Sequence, residues 1–124
     1  MTWQLLIPRH PSLQLAPGRR QHWSVTRRAK AEDTQLAFWL TRQAGLGVAM
    51  PWGCCDLTIR FMVTVARRRD RDNWLGRCKG FLDGLTQAGV WTDDNADVIR
   101  SISLEFVKEK GVQPSTIFII ENRS

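Results

Sequence analysis

The chain has 124 residues, 43% hydrophobic and 24% charged, an ordinary globular composition that argues against wholesale disorder. No apolar run approaches the roughly 20 residues that cross a bilayer, and the opening stretch is broken by Pro8, Arg9, His10 and Pro11 before a signal-like run develops, so a soluble, cytoplasmic protein is expected. With 18 Lys and Arg against 12 Asp and Glu, the net charge of +6 favours polyanionic partners, nucleic acid first, over acidic proteins or neutral metabolites.

Thr2 to Ile7 carries Trp3, Leu5 and Ile7 at period two, the pattern of a short first strand halted by Pro8. From Pro8 to about Thr26 no periodicity holds, and an extended basic connection is expected. Between Arg9 and Lys30 the bases Arg19, Arg20, Arg27 and Arg28 also occur with no acid among them, a run able to follow a phosphate backbone or simply to form a solvated face. Ala29, Leu36, Ala37, Leu40 and Ala44 recur at helical spacing, predicting a first helix over about Arg28 to Ala44, stopped by Gly45 and Gly47.

Cys55 to Ala66 alternates Leu57, Ile59, Phe61, Val63 and Val65, a long strand with that face buried. After the extended tract Arg67 to Asn73, Phe81, Leu82 and Leu85 form a helical stripe ending at Ala88 and Gly89; Gly76, Gly80 and Gly84 weaken this helix. Strands are expected over Val98 to about Val107 and Thr116 to Ile120, joined by a turn from Lys108 to Pro114. The order is β-α-β-α-β-β, an α/β (α+β) domain over 1–124 with helices on a mixed sheet. No repeat or linker divides it. Cys54 and Cys55 are adjacent and Cys78 stands alone, so neither a disulfide framework nor a zinc site is indicated, and reduced, mostly buried thiols are expected.

Asp70 and Asp72 stand two apart on a tract read as extended, where their side chains can point the same way; Asp93 and Asp94 follow a helix able to return them alongside. Clustered carboxylates repel, and a hard divalent cation relieves that repulsion, which makes Mg²⁺ the natural occupant and Mn²⁺ a substitute. The competing reading pairs Asp70 and Asp72 with Arg67, Arg68, Arg69 and Arg71. His10 and His22 read as surface or DNA-facing loop residues, Asn73 as a capping or turn residue, and Trp74 as a core residue or a platform for an unpaired base. No phosphate loop is present, so no nucleotide cofactor is expected.

The string RRRDRDNWLGRCKGFLDGLTQAGVWTDD, Arg67 to Asp94, resembles the signature of the RusA family of Holliday junction resolvases. In that family a basic tract leads into Asp-x-Asp-Asn, a lysine opens a helix carrying Asp-x-Leu, and an Ala-Gly-hydrophobic turn ends in Asp-Asp. The resemblance implies a homodimer that makes paired nicks in four-way junctions, serving DNA recombination and repair. It implies metal ligation by Asp70, Asp72 and Asp94, with Asp93 a less certain partner, and Lys79 as the active-site cation. The interval from Asn73 to Lys79 is about three residues longer than in the family, so Arg77 is an alternative to Lys79. Arg9, Arg19, Arg20, Arg27, Arg28, Arg67, Arg68, Arg69 and Arg77 are the expected DNA-binding residues. A nuclease of flaps or forks and a non-catalytic branched-DNA-binding protein are the alternatives, with an RNA-binding module a more remote one.

Overall fold

The computed structural model describes residues 2–45, 53–65 and 67–123. Gly47, expected to help stop the first helix, and Ala66, expected to end the second strand, lie outside the described residues. The elements run β1 (Thr2–Ile7), a 3-10 turn (Leu13–Leu15), α1 (Trp23–Gln43), β2 (Cys55–Val63), α2 (Arg71–Arg77), α3 (Lys79–Ala88), β3 (Ile99–Lys108) and β4 (Ser115–Asn122). The chain is a small α+β fold on one four-stranded mixed sheet.

The sheet order is β1-β4-β2-β3, with β4 antiparallel to both neighbours and β2 parallel to β3. Register aligns Leu5 with Phe118, Phe118 with Ile59, and Ile59 with Leu104. Aligned residues share a face, so one apolar row crosses all four strands. Ala37 of α1 and Phe81, Leu82 and Leu85 of α3 join that face in the core. Full burial of Phe61, Phe81 and Phe118 stabilises the fold by roughly 1.5–3 kcal/mol each.

The period-two reading of β2 holds from Leu57 to Val63, but Val65 lies past the strand end and is 57% exposed. The first helix begins earlier than expected, at Trp23 rather than about Arg28, because His22 Nδ1 accepts from Ser24 N and caps it there, so Trp23 to Thr26 belong to the helix rather than to the loop. The expected β-α-β-α-β-β order is corrected to β-α-β-α-α-β-β. Asp70, not Asn73, caps an additional helix, accepting from Asp72 N at 3.0 Å and more weakly from Asn73 N at 3.5 Å. Cys78, with ψ near −1°, separates α2 from α3. Asp72 therefore lies in a first helical turn and not on an extended connection.

The basic connection after β1 is held by packing. Asp33 on α1, 1% exposed, accepts from the Arg9 guanidinium and from Ser12 N. His10 Nε2 donates to the Met62 carbonyl at 2.8 Å, the tautomer a carbonyl partner requires, and Arg77 Nη2 donates to the Pro11 carbonyl at 2.6 Å.

Candidate functional site

The parallel pair β2 and β3 is joined by a crossover through α2 and α3, and the segment just past the carboxyl end of β2 carries Arg67 to Asp72. Open α/β sheets characteristically bind ligands beyond the carboxyl ends of their parallel strands. Here Arg68, Arg69, Asp70, Arg71 and Asp72 line a cavity of about 570 Å³. Arg71 Nη1 donates to the Leu104 carbonyl on β3 at 2.8 Å, tying the rim of this cavity to the sheet edge.

Asp70 and Asp72 are exposed, and among the described residues neither forms an ion pair with a neighbouring arginine. The reading in which Arg67, Arg68, Arg69 and Arg71 neutralise them is therefore not what the geometry favours. Asp70 Oδ1 serves as helix cap, which fixes the orientation of that carboxylate.

Asp94 sits with Lys79, whose ammonium lies 3.5 Å from Asp94 Oδ2 and 3.6 Å from Asp83 Oδ1. Asp83 also meets Lys30 of α1 at 3.1 Å, so one chain of charges runs from α1 through α3 to the turn before β3. Partial burial opposes the charge on Lys79, but the carboxylates of Asp83 and Asp94 outweigh it and raise its pKa above the ordinary value. Asp93, accepting from Asp94 N and Asn95 Nδ2, is held below the usual carboxylate range.

The donor set suits a hard divalent cation, since carboxylate oxygens are its preferred ligands. Among the described residues, however, no three His, Cys, Asp or Glu side chains stand together as a metal-ligand group. Asp70 and Asp72 share one cavity rim, and Asp94 is engaged by Lys79. Lys79, not Arg77, is the cation that meets an acid of the signature; Arg77 turns toward Pro11 and packs its guanidinium 4.1 Å from the Trp74 ring centre.

Of the remaining basic residues, Arg19, Arg20, Arg27, Arg28, Arg67 and Arg68 are exposed, whereas Arg9 is committed to Asp33 and also covers the Phe81 ring. Trp74 is wedged among Phe61, Phe106 and His10, which is the core position rather than a free platform. Burial raises the Cys55 thiol to about 11 and Cys78 to about 12, leaving both protonated and unreactive at neutral pH. No helix is long and apolar enough to cross a membrane among the described residues.

No family model matches the chain. An uncharacterized protein of Xylella fastidiosa is 35% identical over 109 residues, covering 86% of this chain and 71% of that protein. The chain belongs to the family of that protein. The relative carries no described activity, so the functional reading rests on the residues above.

Proposed function

We propose that the protein is a Mg²⁺-dependent endodeoxyribonuclease of the RusA type, acting as a homodimer on four-way DNA junctions. The observation that carries this reading is the cavity past β2, where Asp70 and Asp72 stand between Arg68, Arg69 and Arg71 without an ion-pair partner among the described residues. A basic protein that leaves two carboxylates unpaired among arginines has arranged groups for a cation and for phosphate oxygens at one place. The string from Arg67 to Asp94 supports the same reading by its order of motifs.

Asp70 and Asp72 would hold the cation, Mg²⁺ or in its place Mn²⁺, from the cavity rim, and Asp94 would join them only on leaving Lys79; the cation when bound supplies Lewis acidity to the scissile phosphodiester. The cavity arginines bind non-bridging oxygens and offset the charge that grows as water attacks phosphorus and the bond to the leaving oxygen breaks. Lys79 stays protonated at neutral pH and stands ready to steady the same phosphate. Two equivalent strands of a junction need two opposed sites, which a twofold dimer provides.

Cleavage of a synthetic four-way junction, beside flap and linear duplex controls, tests the proposal. The wild type should make paired junction nicks with Mg²⁺, and Asp72→Asn should lose more than about 100-fold in rate while keeping its junction affinity in Ca²⁺. Flap-only cutting would move the reading to another nuclease, and tight binding without cutting would leave a non-catalytic DNA-binding protein.

A further inference from the structure

Two exposed indoles stand on α1, Trp23 at 65% and Trp39 at 60%, and the sixteen-residue interval sets them about 160° apart around the helix axis. Their surroundings differ. Trp39 packs edge-on against Phe38, and Glu32, seven residues before it, shares its side of the helix. Trp23 belongs instead to the stretch from Arg9 to Lys30 that holds no acid. Arg19, Arg20, Arg27 and Arg28 of that stretch are exposed, and none forms an ion pair among the described residues.

Two side chains frame the Trp23 ring. His22 lies 5.4 Å away, centre to centre and tilted by 32°, and its Nδ1, 3.1 Å from Ser24 N and 2.7 Å from Ser24 Oγ, fixes it beside the indole. The Arg27 guanidinium stands 5.9 Å from the indole centre, at the edge of the cation–π range and wider than ring contact, so it does not close the ring face. Arg27 also opens a cavity of about 380 Å³ between α1 and α3, lined further by Lys30, Thr34, Gln35, Asp83 and Gln87. Asp83, on its α3 wall, meets Lys79, so the cavity leads from beside the indole toward the cation of the candidate site.

A flat ring left in water among unpaired guanidinium groups matches a ligand that joins a flat ring to nearby negative charge. An unpaired nucleotide within a strand has both, because its base offers a π face and phosphates flank it. An acidic peptide shares the charge, but the paired rings and the amide groups of Gln35 and Gln87 in the cavity suit a base, which also has hydrogen-bonding edges. We infer that Trp23 is a stacking platform for an unpaired nucleobase, whose strand runs past Arg27 along the cavity between α1 and α3 toward Lys79. It is the platform that Trp74, wedged in the core, does not provide. That the strand belongs to branched DNA rests on the nuclease reading; the stacking itself needs neither a divalent cation nor cleavage. A branch point frees bases that a linear duplex keeps paired, so Trp23 contributes to the choice of substrate.

The test is a fluorescence-anisotropy titration of the full chain, in metal-free buffer, with an oligothymidylate and with an abasic oligomer of the same length and charge. The wild type should bind the oligothymidylate about tenfold more tightly than the abasic oligomer. Trp23→Ala should erase that difference by weakening the oligothymidylate alone, and should leave the salt dependence of binding unchanged, since no phosphate contact is lost. Trp23→Phe, which keeps a ring, should retain part of the difference, and Trp39→Ala should retain all of it. Alanine is a strong helix former and Trp23 is exposed, so the fold tolerates this replacement.

Equal binding of the two oligomers, binding of neither, or a preference that survives in Trp23→Ala overturns the inference. So does an acidic, phenylalanine-containing peptide that binds where the oligothymidylate does not and loses its affinity in Trp23→Ala; the surface then belongs to a protein partner. Asp72→Asn should bind both oligomers as the wild type does. Absence of junction cleavage leaves the base preference untouched, and equal binding of the oligomers leaves the role of Asp72 in cleavage untouched, so the two readings fail separately.

Discussion

Arg9 and His10 show how a single residue read as a ligand contact becomes part of the fold. A basic residue in a proline-containing loop reads as a phosphate contact, yet Arg9 closes on Asp33, which is 1% exposed. Removing the base leaves a buried carboxylate without compensation, so Arg9→Gln should cost about 3 kcal/mol in urea denaturation at neutral pH, more than Asp33→Asn. A pure DNA-contact residue would leave the midpoint unchanged. Asp33 itself escaped the sequence reading because an acid inside a helix is expected at the surface. Its signal was positional: it continues the four-residue spacing of Ala29, Ala37 and Thr41, all buried. For His10, burial first, then the nearby guanidinium groups of Arg77 and Arg69, lower the pKa below 6.5, opposed by the bond to the Met62 carbonyl. The unfolded chain then takes up the proton first as pH falls, so the contribution of neutral His10 is present above 6.5 and lost below it. The urea midpoint should drop between about pH 7.5 and 5.5, and His10→Gln, which keeps a donor for Met62, should flatten that drop.

Among the elements, β1 was placed at its observed bounds and β2 was legible from an alternation that its burial follows from end to end, whereas β3 buries only Ile99 and was recognised from its branched and aromatic residues rather than from a clean period. The split between α2 and α3 was not legible: nothing in the periodicity of Phe81, Leu82 and Leu85 reports a cap nine or more residues earlier at Asp70. That residue was read as a ligand, and its place as helix cap explains why the Asp-x-Asp-Asn spacing lies at a helix start. The glycines of α3, which weaken a helix on propensity, have a tertiary reason here. A Cβ on Gly84 would stand 2.4 Å from the Thr34 carbonyl oxygen and 2.7 Å from Ala37 Cβ, and one on Gly80 would stand 2.7 Å from Asp33 Cβ. They let α3 approach α1 backbone to backbone. Gly84→Ala should therefore lower stability by about 1–3 kcal/mol in urea denaturation, although helix propensity alone predicts a gain of about 1 kcal/mol. A more stable variant would mean that the helices separate at little cost.

At the scale of the whole molecule, the net charge of +6 favours a polyanionic partner, and which bases are free to meet one depends on what the fold has already engaged. Arg9 is spent on Asp33, while Arg20, Arg28 and Arg68 remain exposed and have no acid partner among the described residues. The spacing led to the expectation that the carboxylates converge, yet among the described residues no three acids stand together, and Lys79 engages Asp94 through a contact fifteen residues apart in sequence. Charge used in binding a strand has a thermodynamic signature that charge used in folding lacks. Each phosphate neutralised releases condensed counterions, so the logarithm of junction affinity falls linearly with the logarithm of salt concentration, by about 0.9 per contact on duplex DNA. With Ca²⁺ replacing Mg²⁺ to prevent cutting, Arg20→Gln, Arg28→Gln and Arg68→Gln should each reduce that slope by about 0.9, whereas Arg9→Gln, measured under conditions where it stays folded, should leave it unchanged. If all four variants keep the wild-type slope, the basic surface formed by the loop, α1 and the tract before α2 does not face the strand. If Arg9 alone changes it, the ion pair with Asp33 opens on binding, and the loop that Asp33 anchors is then part of the interface.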